Sequence, residues 1–309
     1  MALDLRPLTL AELLDRSFSI YKRHLWLFVG IMTLPASVGL LYAVAMELFQ
    51  FTVVRPQVAA TNGPPTPEQA FLVAAPMVAG AILFMIVYFV VYAFALGATT
   101  IAVAHVYKDQ PITIGEAYRK VRRHGGRLIL LMIFGGLRML GIWLGLVVIA
   151  AVLGGLLALV SPLLAPIVMV VGFVLAFVLA CVLVIRYGVA VPAVVLEDLT
   201  AGGALKRSVN LTEDHRGRVF LLILCAVVIT YATLLLFQGP FVFGAMLAGP
   251  GTSTALVLTL AGAVVGTIGG MFSGPIMIIG LAMIYYDLRI RKEALDLHMM
   301  LEALDAPQA

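Results

Sequence analysis

Six long apolar runs alternate with short polar segments along the chain: Leu25 to Phe49, Phe71 to Ala104, Leu128 to Val160, Leu163 to Ile185, Val219 to Ala248 and Ala255 to Tyr286. Each exceeds the ~20 residues with which a helix crosses a hydrocarbon core ~30 Å thick. The pattern therefore predicts an all-α polytopic membrane protein with six transmembrane helices. Orientation follows from charge. Of the 20 Lys and Arg residues, 18 lie in segments that share one side if each run crosses once: Arg6 to Arg23, Lys108 to Arg127, Arg186 to Arg218 and Arg289 to Lys292. The positive-inside bias makes that side the cytoplasm and places both termini there. Only Arg55 falls on the opposite side, and only Arg138 falls inside a run. The first run follows amphipathic sequence and has no small-residue cleavage site beside a short apolar core, so it is expected to act as an uncleaved signal anchor.

The polar segments are themselves patterned. Leu8-Thr9-Leu10-Ala11-Glu12, continuing to Arg23 and Leu25, is echoed by Ile112-Thr113-Ile114-Gly115-Glu116, continuing to Arg127 and Leu128. A third copy reads Leu199-Thr200-Ala201-Gly202-Gly203 and continues to Arg218 and Val219. Each copy precedes an odd-numbered span, so the predicted unit is a short helix followed by a helical hairpin. Three pseudo-repeats, 8–107, 112–196 and 199–291, would make one integral domain over 1–309. Thr9 with Glu12 and Thr113 with Glu116 fit the capping box, whereas the third copy keeps the Thr and has Gly203 in place of Glu.

Beyond the caps, Leu10, Leu13, Leu14, Phe18 and Tyr21 share one helical face, opposite Glu12, Asp15, Arg16, Ser19 and Lys22. Ile114, Ala117, Tyr118 and Val121 do the same against Arg119, Lys120, Arg122 and Arg123. Such helices lie flat at the cytoplasmic membrane surface, apolar side in the acyl boundary and basic side near anionic lipid headgroups. They serve either as elbows that orient the next span or as a lipid or partner site. The interfacial basic residues expected on this pattern are Lys22, Arg23, Arg119, Lys120, Arg122, Arg123, Arg207 and Arg218. Ile290, Ala294, Leu297, Leu301 and Leu304 recur at helical spacing, which predicts a further cytoplasmic amphipathic helix over 288–305.

Within the membrane, Gly262, Gly266, Gly270 and Gly274 form one stripe at four-residue spacing, which lets a neighbouring backbone approach closely, from this chain or another. Pro240 and Pro275 mark candidate helix breaks, as simple kinks or as parts of a binding site. Arg138 costs ~2.5 to 3.5 kcal/mol at a bilayer centre. Met139 to Val160 is long enough to span alone, so Arg138 is either an interfacial anchor that snorkels or an interior polar contact.

Composition narrows the class further. With 62% hydrophobic and 12% charged residues the chain is too apolar for a water-solvated surface, and its loops are too short for a soluble catalytic unit. The positive-inside bias already accounts for the net charge of +4, so nucleic acid is not an expected partner. No Walker A run, zinc spacing or dinucleotide glycine pattern occurs, so no catalytic, cofactor or metal residues are assigned. The pairs Glu197–Asp198 and Glu213–Asp214 diverge on a helix and read as solvated surface. Cys181 and Cys225 are expected to be reduced.

The opening Leu8 to Phe18 with Tyr21-Lys22-Arg23-His24, the segment Ala204-Leu205-Lys206-Arg207-Ser208 leading to Arg218-Val219-Phe220, and the ending Tyr285-Tyr286-Asp287-Leu288-Arg289-Ile290-Arg291-Lys292-Glu293 resemble one bacterial family. It is named for the membrane domain of glycerophosphoryl diester phosphodiesterase. The resemblance implies a multi-helix membrane protein without the hydrolase domain, and no catalytic residues carry over. The expected function is that of a non-enzymatic partner or organising subunit of the bacterial cytoplasmic membrane, with a protein partner or as an oligomer, linked to lipid-derived substrates. The alternatives are a transporter or lipid-translocating protein using Arg138 and broken helices, and a lipid phosphodiester hydrolase using His215.

Overall fold

The computed structural model describes residues 8–59, 66–159, 161 and 164–293. Most of the expected helix over 288–305, including Ala294, Leu297, Leu301 and Leu304, lies outside the described residues. In chain order the helices are α1 (Leu10–Arg23), α2 (Leu25–Phe49), α3 (Arg55–Ala59), α4 (Pro67–Tyr107), α5 (Ile114–Val121), α6 (Gly125–Ala158) and α7 (Leu164–Tyr187). They continue with α8 (Ala190–Leu196), α9 (Ala201–Thr212), α10 (Arg216–Ala248) and α11 (Ser253–Glu293). Among the described residues there is no strand, and six helices are long and apolar enough to cross a membrane.

The short helices begin where their caps place them. The Glu12 amide donates to Thr9 Oγ1 at 3.3 Å, and the Glu12 carboxylate accepts from the Thr9 amide at 2.7 Å. Thr113 and Glu116 make the same pair of bonds at 3.3 and 3.0 Å. In α9 only one half remains, from the Gly203 amide to Thr200 Oγ1 at 3.3 Å. Leu13, Ser17 and Tyr21 on α1, Ala117 and Val121 on α5, and Ala204, Ser208 and Leu211 on α9 are all buried within the protein. Protein, not acyl chain, thus covers the inner edge of each face.

Helix α4 inverts the pattern of a soluble core. The buried positions of α4 include Ala93, Ala95, Ala98, Thr99 and Ala102, whereas Leu83, Met85 and Ile86 are exposed. Small residues let helices approach where no water is present to drive large ones inward. The outward residues of α7, among them Val170, Phe173, Val174 and Phe177, are likewise apolar.

The chain forms two compact units. Residues 1–14, 121–223 and 281–309 make unit 1, and residues 15–120 and 224–280 make unit 2. In unit 1, α6 and α7 form an antiparallel hairpin whose register is visible at Gly172. A Cβ there would overlap that of Ala150 and lie 3.6 Å from its Cα. A Cβ on Gly135 would lie 3.9 Å from Leu205, so the first turns of α6 run beside α9.

In unit 2, α10 and α11 pack closely. A Cβ on Gly262 would lie 2.8 Å from that of Phe241, one on Gly266 would lie 3.2 Å from that of Gln238, and one on Gly269 would lie 3.3 Å from that of Phe237. The contact thus follows 262, 266 and 269. Gly274 faces Met32 of α2 at 3.7 Å, and Gly270 meets nothing within 4 Å. The stripe read from four-residue spacing therefore divides between two neighbours, because a helix turns 3.6 residues at a time. Helices α10 and α11 continue through Pro240 and Pro275.

Candidate functional site

The last three turns of α11 carry Tyr285, Asp287, Arg289, Arg291, Lys292 and Glu293, and every one of these side chains is bonded within unit 1. Asp287 is the most enclosed, with 1% of its side chain exposed. Its Oδ1 accepts from the Leu8 amide at 2.9 Å, and its Oδ2 accepts from Arg218 Nη2 at 3.1 Å and from Arg291 Nε at 3.0 Å. The same two arginines donate to the Leu8 carbonyl at 2.7 and 2.6 Å. The chain entering α1 is thereby tied through both of its backbone groups to the start of α10 and the end of α11.

A second cluster centres on Glu197, at the end of α8. Arg207 of α9 forks onto it, Nε to Oε2 at 2.9 Å and Nη2 to Oε1 at 3.0 Å, a planar match that guanidinium and carboxylate make well. The Tyr285 hydroxyl donates to the same carboxylate, and Arg289 Nε lies 3.4 Å from it. Arg207 also reaches Glu293 at 2.7 Å. Its bonds to Glu293 and then Glu197 hold its pKa above the ordinary value, against the opposing effect of burial. The Ser208 hydroxyl donates to the Arg186 carbonyl at 2.7 Å, joining α9 to the end of α7.

At the edge, Lys292 Nζ donates to the Asn210 carbonyl at 2.5 Å and pairs with Asp214 at 2.6 Å. The Lys292 bond holds the Asp214 carboxyl below its usual range. His215 is pushed the other way from a proton acceptor poised at neutral pH: burial, with Arg291, Lys292 and Arg218 nearby, lowers its pKa. Its Nδ1 is buried without a hydrogen-bond partner. The carboxylate beside it is thus paired to a lysine.

The expected solvated pair Glu197–Asp198 divides. Glu197 is enclosed, with 16% of its side chain exposed, because α8 turns it toward the arginines. Asp198 is 71% exposed, pairs with His124 at 3.1 Å and with Arg127, and has a positive φ of 53° where α8 ends. The basic residues divide as well. Lys22, Arg23, Arg119, Lys120, Arg122 and Arg123 are exposed, while Arg207 and Arg218 are half-buried in the network. The signal that separates them is the periodic polar ending 285–293, which supplies Asp287 to Arg218 and Glu293 to Arg207 beside Glu197.

Arg138 is exposed and makes no ion pair among the described residues. With Gly172 level with Ala150, the antiparallel hairpin brings Arg138 level with about Val184, half a turn from Arg186 at the end of α7. Glu47, in the last turn of α2, pairs with Arg55 at the start of α3 at 3.1 Å. Among the described residues no group of three His, Cys, Asp or Glu side chains is placed to hold a metal ion.

No curated protein and no solved structure matches the chain. A family model matches residues 112–288, from the cap of α5 to the last turns of α11. The match takes in Arg207, Arg218 and Asp287 and well over half of the chain, which belongs to the family described as Domain of unknown function (DUF7847).

Proposed function

We propose that this protein is a non-enzymatic, multi-pass subunit of the bacterial cytoplasmic membrane that organises a protein or lipid partner. The observation that carries the reading is the use of the charged residues. Arg207 binds Glu197, and Arg218 binds Asp287 and the Leu8 carbonyl, so these charged side chains hold helices together. Lys22, Arg23, Arg119, Lys120, Arg122 and Arg123, by contrast, are exposed toward lipid phosphate or a partner's acids.

Three features extend the reading. Thr9, Thr113 and Thr200 stand before α1, α5 and α9, and Leu13, Ala117 and Ala204, each four residues on, are fully buried. This equivalence supports three pseudo-repeated hairpins introduced by amphipathic elbows. Leu8, Arg218 and Asp287, which form the tightest cluster, all belong to the motifs resembling the membrane domain of glycerophosphoryl diester phosphodiesterases. The level of Arg138 beside the end of α7 supports interfacial anchoring, with Met139 to Ala158 spanning ~30 Å alone. Both termini would face the cytoplasm.

Purification of the full chain in gentle detergent, with proteins identified by mass spectrometry, tests the function. A partner at fixed stoichiometry, lost when Arg119, Lys120, Arg122 and Arg123 are changed to Ser, is the expected result. No partner in detergent or after crosslinking in cells would overturn it. Thiol labelling at Ser19→Cys and Thr252→Cys, with Cys181 and Cys225 changed to Ala, tests the orientation. Label reaching residue 19 from outside would refute it.

A second reading, translocation of a lipid-derived solute, draws on a cavity in unit 2 whose lining contains no charged residue. Absence of flux in proteoliposomes would dismiss this reading, and flux that survives filling of that cavity would remove the cavity from it.

A further inference from the structure

Unit 2 holds a partly open cavity of about 290 Å³ between α2, α4 and α11. It lies within three apolar runs, so its surroundings are hydrocarbon and not water. Pro35, Gly39, Gly270 and Gly274 keep its walls open, and a Cβ added at Gly270 would meet nothing within 4 Å. The volume is about twice the ~150 Å³ that admits a benzene ring, room for a chain segment but not a whole lipid.

Two side chains give the cavity a chemical preference. Tyr88 and Tyr92 line it with rings stacked at 5.7 Å, and neither hydroxyl has a hydrogen-bond partner among the described residues. A phenol without an acceptor is costly in hydrocarbon, where no water can take its place. Two other tyrosine hydroxyls of unit 2, those of Tyr118 and Tyr21, meet backbone acceptors. Pro35 deprives the Ile31 carbonyl of its helical donor, and the Tyr118 hydroxyl supplies one at 2.7 Å. The Tyr21 hydroxyl donates to the Phe272 carbonyl at 2.6 Å, beside Pro275. Phenols thus satisfy backbone acceptors near Pro35 and Pro275, and Tyr88 and Tyr92 are left with donors to spare.

We propose that this cavity binds the acyl segment of a membrane glycerolipid, with the ester carbonyl accepting from Tyr88 and Tyr92. The chain would lie along the glycine-lined wall against Met32 and Met271. This site is independent of whether a protein partner exists, so it stands or falls apart from the organising role.

The test uses the full chain in vesicles of phosphatidylethanolamine and phosphatidylglycerol with a diazirine-bearing monoacylglycerol as probe. Photolabel is expected on peptides holding Met32 and Met271, suppressed about tenfold by Gly270→Leu, which fills the void. Tyr88→Phe with Tyr92→Phe keeps the packing and removes only the donors, and it should weaken labelling about fivefold or more. Unlabelled monoacylglycerol should compete better than an alkane of equal length. Label spread evenly over lipid-facing α6 and α7, equal competition by the alkane, or unchanged labelling of the double Tyr variant would each overturn the proposal. If Gly270→Leu does not fold, the Tyr pair still decides.

Discussion

Asp287 in unit 1 is almost fully enclosed yet receives three donors, whereas Tyr88 and Tyr92 in unit 2 border a cavity with no acceptor for either hydroxyl. Both places are polar spots in an apolar molecule. In the first, four arginines and three carboxylates, with Leu8 and Tyr285, bond to one another, and of these only Arg218 Nε is left buried without a partner among the described residues. The second is open, and its spare donors cost little to remove because nothing in the protein depends on them. Polar density alone therefore does not identify a ligand site in a membrane protein. The contrast lies in whether the bonds close on the chain itself.

The sharpest way to break the comparison is Asp287→Asn. It keeps the shape but leaves Arg218 and Arg291 half-buried without their carboxylate, so a loss of ~3 to 5 kcal/mol is expected. Thermal unfolding in detergent should show it as a large fall in midpoint, and a midpoint equal to wild type would mean the network is not structural. Gly262→Leu should cost less, ~1 to 3 kcal/mol, since its Cβ falls 2.8 Å from that of Phe241 and the helices must part. Full retention of stability in the same assay would show that α10 and α11 do not meet there.

Smaller effects sharpen the other side. Tyr88→Phe should leave the unfolding midpoint nearly unchanged, within ~0.5 kcal/mol, in contrast to Asp287→Asn. A large loss would mean that the hydroxyl has a partner in the chain. The smallest effect concerns His215, whose lowered pKa means that the folded state resists its protonation. The unfolded chain takes up that proton near pH 6.5, so the stability this group contributes is present above that pH and lost as pH falls below it. Midpoints measured from pH 7.5 to 5 should fall more for wild type than for His215→Gln. Parallel curves would remove His215 from the pH response.

Much of the helical framework was legible in the sequence because the bilayer imposes long apolar runs and threonine caps announce short helices. The capping bonds at Thr9 and Thr113 sit where the spacing put them. Less legible was which polar residues are surface. Glu197 and Asp198 are neighbours with opposite environments, a difference decided by the left-handed turn at Asp198 and by arginines ten and about ninety residues away. The glycine stripe was visible as a feature, but its division between Phe241, Gln238 and Met32 depends on how the helices rotate.

By itself the amino-acid order determined that this is a helical chain with six segments fit to cross a membrane, where its short helices start, and that its cations concentrate beside the spans. Those properties depend on hydropathy and local hydrogen bonds, which act over a few residues. Only the tertiary structure decided that Leu8, Arg218 and Asp287 close into one cluster, and that two tyrosines one turn apart open onto a void. Both depend on residues from distant parts of the chain meeting at a few ångströms, where hydrogen-bond geometry and packing act and periodicity carries no information.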